Sequence, residues 1–225
     1  MEKSLAEHRQ LASDLSLGSS NELIYRTALD LLQEYCGSGS HLDFGCGQGH
    51  FLKQLESKFP ELKLSGVDLM KKPEKVSGAV EWFAEDLNQN LDLPAQSLDS
   101  ISALEIIEHL ENPRHVFREL YRILKPGGTL VLSTPNNETW RAILSYIKRG
   151  HFVAFTDRDY PAHITPLNRK DLLRIAEESG FSFQAWGFSG KGCLPGMTRF
   201  SWQGLSLGML KGLRYSDNIF MVLKK

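Results

Sequence analysis

The heptapeptide Asp43-Phe44-Gly45-Cys46-Gly47-Gln48-Gly49 sets three glycines at alternate positions directly after a short apolar run. Glycine is needed where backbone turns sharply or approaches a ligand with no Cβ between them. A dinucleotide fingerprint, G-x-G-x-x-G, would need its last glycine where His50 stands, and no G-K-S/T follows. The second absence excludes a P-loop, and the first counts against a dinucleotide, with a nicotinamide-dependent oxidoreductase kept as a rival reading. Asp68 ends "LSGVDL", the place about 20 residues on from which a carboxylate accepts both hydroxyls of a ribose. Asp86 ends "VEWFAEDL" and is placed to accept from an exocyclic amino group. The competing reading keeps the glycines for tight packing, Asp86 for capping a turn, and Cys46 as a small side chain whose backbone meets the ligand.

A second cluster lies in "EIIEHL", Glu105, Glu108 and His109, with His163 further on in "AHITPL". Two carboxylates with imidazoles can hold a hard or borderline cation and lower the pKa of a coordinated hydroxyl. Alternatively His109 or His163 is a general base, or His109 only packs. The segment 137–167 alternates basic and aromatic residues, among them Trp140, Arg141, Tyr146, Lys148, Phe155, Arg158 and Tyr160. That mixture suits an anionic or sugar-like acceptor, and equally a plain lid. The run 190–214 is glycine-rich and apolar, a second acceptor-side lid segment or a surface that touches a membrane. Its helical spacing is poor, which favours a buried lid.

These residues need elements to hold them. Helical spacing runs through 21–36, with Leu23, Ile24, Ala28, Leu31, Leu32 and Tyr35 on one stripe and Ser20 or Asn21 as cap. It returns in "HFLKQLESKF", in "NPRHVFRELYRILK" opened by Pro113, and in "NRKDLLRIAEESG" closed by Gly180. Strands are expected at "SHLDFG", "LKLSGVDL", "VEWFAEDL", "SLDSISALE", "TLVLSTPN", "FSFQAWGF" and "NIFMVLKK", with Lys125 to Gly128 stopping the helix before the fifth. Residues 137–167 are irregular by pattern. Strands alternating with helices imply a doubly wound α/β domain with a mainly parallel sheet, which binds ligands beyond the carboxyl ends of its strands. Asp43, Asp68, Asp86 and Glu105 all fall at or near such ends. A cationic ligand carrying a ribose and an adenine fits them, and that ligand is S-adenosyl-L-methionine.

Charge is divided along the chain. Residues 1–140 carry 13 Lys/Arg against 21 Asp/Glu, or −8, and residues 141–225 carry 13 against 6, or +7. A cationic ligand on the first part and an anionic one on the second would match that division. The 225 residues suit a single domain, 1–225, preceded by an N-terminal extension, 1–20, that has no apolar signal-peptide core. No apolar run is long enough to span a bilayer. Cys36, Cys46 and Cys193 form no CxxC pair, which points to free thiols and a cytoplasmic setting. The near-neutral total and lack of a nucleic-acid module argue against DNA and RNA as partners.

In "HLDFGCGQGHF", "GVDL", "AEDL", "LDSISALEIIEHLENP" and "LKPGGTLVLSTPN" the chain resembles the class I S-adenosylmethionine-dependent methyltransferases over about residues 20–225. Within that family it is most like the type 11/12 and ubiquinone-pathway O-methyltransferase groups. The resemblance implies a seven-stranded, Rossmann-like sheet with its last strand antiparallel. It implies Gly45, Cys46, Gly47 and Gly49 around the methionine and ribose, and Asp68 with Leu69 on the ribose. Asp86 and Leu87 would meet the adenine, with Glu105 beside the donor. Similar E-x-x-E-H clusters with a later histidine hold a divalent metal in the small-RNA 3′-terminal 2′-O-methyltransferases, so RNA 2′-O-methylation is an alternative, as is a non-catalytic cofactor-binding protein. The first expectation is methylation of a small, lipid-linked or glycan-linked hydroxyl, with a metal as the less favoured reading.

Overall fold

The computed structural model describes residues 7, 9–12 and 18–225; of the 1–20 extension, residues 1–6, 8 and 13–17 lie outside the described residues. Five strands follow the expected order: β1 (Ser40–Phe44), β2 (Lys63–Asp68), β3 (Glu81–Ala84), β4 (Leu98–Leu104) and β5 (Leu124–Pro135). β6 (Ser182–Phe188), a hairpin of β7 (Cys193–Leu194) and β8 (Met197–Ser201), and β9 (Asn218–Lys224) complete them. The main sheet runs β3-β2-β1-β4-β5-β9-β6. β1 to β5 pair in parallel, and β9 is antiparallel to both β5 and β6. This is the expected seven-stranded, Rossmann-like sheet with its final strand reversed.

Both faces are covered, and the period-two alternation of strands decides which residue goes where. Leu130, Leu132, Met221 and Leu223 face a core shared with α3 (Pro113–Ile123) and α5 (Arg169–Glu178). Val131, Phe220 and Val222 face the opposite core, with α1 (Glu22–Tyr35) and α2 (His50–Lys58). Asn21 caps α1 by accepting from the Leu23 amide. The buried stripe of α1 is Ile24, Tyr25, Ala28, Leu29 and Leu32. It is rotated from the expected one, because Tyr25 and Leu29 turn inward while Leu23 and Leu31 reach the rim.

Three expectations change. β5 begins at Leu124, so Lys125 to Gly128 lie inside an irregular strand start where the β4 pairing shifts between Leu98 and Ser100. The segment 137–167 is not wholly irregular: α4 (Trp140–Arg149) forms there, capped by Thr139, which accepts from the Ala142 amide. Residues 190–214 are no buried lid. They form the β7–β8 hairpin and a short turn of helix, α6 (Trp202–Leu205), with Met197, Phe200, Leu205, Leu207 and Met209 exposed.

Beneath the glycine loop lies a fully buried polar chain. His41 contacts Ser100 Oγ at 2.8 Å and Ser102 Oγ at 3.0 Å, and the Ser102 hydroxyl donates to Asp43 at 2.7 Å. Since Ser102 gives its proton to Asp43, it accepts from His41 Nε2, and Nδ1 accepts from Ser100. Burial holds His41 down at about 3 and Asp43 up at about 7. An unfolded chain takes up a proton at histidine below about pH 6.5 that the folded chain refuses, so the His41 contribution is lost progressively on acidification. Asp43 acts in the opposite sense, its burial penalty growing as pH rises from 3.8 towards about 7. His41→Gln is expected to cost stability near neutrality, with the gap to the parent narrowing by about 1–3 kcal/mol near pH 4. Urea unfolding at both pH values checks this; an unchanged gap would remove His41 from the acid response.

Candidate active site

The strand order reverses beside β1, and ligands of open α/β sheets bind at such a switch point. A cavity of about 580 Å³ opens there, at the carboxyl ends of β1, β2 and β4. Asp43, Gly45, Cys46 and Gly47 form its floor. The loop is tied to β2, since the Gly45 and Cys46 amides donate to the Val67 carbonyl and the Gly47 amide to Asp68 Oδ2 at 2.8 Å. The other Asp68 oxygen accepts from the Met70 amide at 2.9 Å. Gly47 has φ +48° and a Cβ there would collide with the backbone of Gly18, so only glycine serves. Leu69, Asp86, Leu87 and Glu105 also line the cavity, as do His109 and His163. Gly49 does not. It is the N-cap of α2, with Val76 packed over it, so its glycine answers to the helix start and not to the cavity wall.

Arg9, Ala12 and residues 18–21 line one side of the cavity, a contribution that no local sequence signal announced. The Gly18 carbonyl accepts from the Gln48 amide at 2.8 Å. Arg9 bridges Asp86 at 2.6 Å and Glu111 at 2.7 Å. Asp86 Oδ1 accepts from the Asn88 amide at 3.0 Å. Both oxygens of the carboxylate assigned to an adenine amino group are thus already engaged. Arg9 is 77 residues from Asp86 and 102 from Glu111, a pairing that only the folded chain reveals.

The four-residue acid and imidazole cluster is divided. Glu105 sits at φ +50°, a strained position for a residue with a side chain. Its oxygens accept from Ser133 Oγ and Asn218 Nδ2, each at 2.7 Å, which fixes it on β5 and β9. Glu108, His109 and His163 do converge, each offering a ligand atom within 4.8 Å of the others. His109 Nδ1 donates to the Ala162 carbonyl at 2.9 Å and His163 Nδ1 to the Ala154 carbonyl at 2.6 Å. Among the described residues Nε2 of neither ring hydrogen-bonds to a side chain, although the Glu105 backbone also lies against His109. Glu108 Oε2 accepts from Thr134, while its buried Oε1 has no partner.

The electrostatics suit a cation. Seven carboxyl side chains line the cavity against two guanidiniums, Arg9 and Arg158. Burial raises Asp43 and Glu105 to about 7 and pushes Asp68 and Glu108 upward as well. A fixed positive charge brought among such groups favours their ionised forms and is held by them. A sulfonium bearing a nucleoside matches the volume, the glycine floor and this charge. Among the described residues no helix is long and apolar enough to cross a membrane.

Comparison with known proteins agrees. The family described as "Methyltransferase domain" matches residues 20–185. A protein of Methanocaldococcus jannaschii, itself uncharacterized, is 24% identical over 164 residues, 72% of this chain and 73% of that one. A ubiquinone biosynthesis O-methyltransferase of Idiomarina loihiensis is 25% identical over 144 residues, 60% of this chain but only 58% of that protein. The fold superposes on a SAM-dependent methyltransferase from Archaeoglobus fulgidus with a TM-score of 0.65 at 20% identity, over 93% of this chain and 96% of that one. With a matching family over most of its length and a cavity of the matching chemistry, the chain belongs to the methyltransferase-domain family and is an S-adenosylmethionine-dependent methyltransferase.

Proposed function

We propose that the protein transfers a methyl group to a hydroxyl oxygen of a small, lipid-linked or glycan-linked acceptor, with His109 as general base. The observation that carries this is the pair of imidazoles in the wall of the glycine-loop cavity, each with Nδ1 committed to a carbonyl. Bound S-adenosylmethionine supplies an electrophilic methyl on sulfur. The protein's part is to align the acceptor oxygen and remove its proton. Burial and the neighbouring His163 hold His109 at about 4, so its imidazole is neutral and ready to accept. Glu108 Oε1, otherwise without a partner, lies in the same cluster. Asp68 takes the ribose hydroxyls, with Leu69 against the sugar. The backbone of Gly45, Cys46 and Gly47 follows the methionine, and Asp86 with Leu87 borders the adenine. An acidic lining repels a phosphodiester, which speaks against an RNA acceptor.

The orphaned Glu108 oxygen supports a second reading, in which Glu108, His109 and His163 hold a divalent cation. Imidazoles oriented through Nδ1–H to a carbonyl are the usual form of metal-bound histidine. The cation would polarise the acceptor hydroxyl. Titrating the protein with S-adenosylhomocysteine, with and without Mg²⁺ or Mn²⁺, separates the readings. Micromolar binding that ignores metal, with turnover that survives a chelator, supports the base. Turnover lost to the chelator and restored by one cation supports the metal. No binding in either condition overturns the donor site itself.

A further inference from the structure

We infer that the face formed by α4 and residues 193–214 docks on an anionic phospholipid bilayer. An amphipathic helix ordinarily turns its apolar stripe to the core. In α4 the stripe Trp140, Leu144 and Ile147, at helical spacing i, i+4 and i+7, is exposed instead, and only Ala142 of this helix is buried. Leu205, Leu207 and Met209 are exposed as well, Leu207 to 92% and Met209 to 80%. Leu207 also holds a left-handed backbone, φ +49°, uncommon for a residue with a side chain. The two segments meet at one point: the Trp140 amide donates to the Arg214 carbonyl at 3.2 Å, and the Arg214 guanidinium lies 5.4 Å from the Trp140 ring centroid.

Charge selects the partner. Residues 140–149 and 190–214 contain seven Lys/Arg and no Asp or Glu. Arg141 pairs with Asp217, and Arg214 donates to the Glu138 carbonyl. Lys148, Arg149, Lys191, Arg199 and Lys211 are exposed, and among the described residues no ion pair engages them. Exposed apolar side chains and unpaired cations carried by the same segments match an interface of acyl chains under anionic headgroups. The face is also joined to the cavity. Tyr146 stacks on Phe152 at 5.0 Å, the Phe155 amide donates to the Phe152 carbonyl, and Phe155 meets His163 at 5.6 Å. A bilayer bound there would lie on the side of the cavity that carries the imidazoles.

The test is co-sedimentation of the whole protein with vesicles of equal phosphatidylglycerol and phosphatidylcholine, and with phosphatidylcholine alone. Binding to the anionic vesicles, weakened by salt, is expected, with little to the neutral ones. Lys148→Ala and Arg149→Ala should each weaken it about fivefold. Leu207→Glu and Met209→Glu, at fully hydrated positions that place no burden on folding, should weaken it at least tenfold or so. None of these residues lies in the cavity wall, so S-adenosylhomocysteine binding should stay at the parent level and separates this inference from the donor site. No association with anionic vesicles, equal association with neutral ones, or association indifferent to all four variants overturns it. A dimer in light scattering that Leu207→Glu dissociates also overturns it, and gives the face to a second copy of the chain.

Discussion

His109→Ala is expected to lower turnover by about 10²–10⁴-fold, the usual contribution of a positioned general base, while S-adenosylhomocysteine binds as before. The expectation rests on direction. Nδ1 of His109 is committed to the Ala162 carbonyl at 2.9 Å, so Nε2 is the only nitrogen left for an acceptor. The glycine floor and Asp68 form their own backbone hydrogen bonds, none of which involves His109. Glu108→Gln gives a second, graded outcome. Gln keeps an acceptor for Thr134 but cannot ionise when the imidazole takes up a proton, so turnover should fall without collapse of the fold. Rescue of His109→Ala by added imidazole would identify proton removal as the missing step. Restoration by a raised concentration of one divalent cation would assign the site to metal instead. Full activity in both variants removes both readings, and the acceptor then loses its proton without help from this cluster.

Much of this was legible along the chain because it is local. The strand-to-helix turn Asp43 to Gly49 declares itself through glycines at alternate positions, and the acid that ends β2 and the one just past β3 follow at the spacing of the fold. The capping box at the start of α5, Asn168 with Asp171, is likewise a three-residue signal. What escaped was either long-range or opposite in sense to the usual rule. Arg9 reaches Asp86 and Glu111 only after the sheet has formed. Gly49 carries the same letter as Gly45 and Gly47, yet it stands at the α2 N-cap, outside the residues that line the cavity. Helix α4 was hidden because apolar spacing is read as burial, whereas its stripe faces water; Thr139 before it and Gly150 after it were the available signs. Within the acid and imidazole cluster, spacing alone made Glu105 equal to Glu108. Only the Ser133 and Asn218 side chains, arriving from β5 and β9, draw Glu105 away.

Asp68→Ala is expected to weaken S-adenosylhomocysteine binding by about 1–3 kcal/mol, or roughly five- to 150-fold, through lost charge-assisted hydrogen bonds. Two effects contribute and can be separated. Asp68 already accepts from the Gly47 and Met70 amides, so its removal also frees the loop that forms the cavity floor. Asp68→Asn keeps one acceptor oxygen but turns an amide N–H against a backbone N–H, and it removes the charge. If the carboxylate acts mainly by holding the loop, both variants should lower the thermal midpoint of the protein without ligand by similar amounts and bind the ligand alike. If it also takes the ribose hydroxyls, affinity should fall well beyond the change in midpoint. A ligand analogue lacking one ribose hydroxyl should then lose affinity against the parent but little further against Asp68→Ala. That shortfall is the signature of a direct contact. Equal sensitivity of parent and variant to the missing hydroxyl would assign the ribose to other groups and leave Asp68 as the residue that shapes the loop.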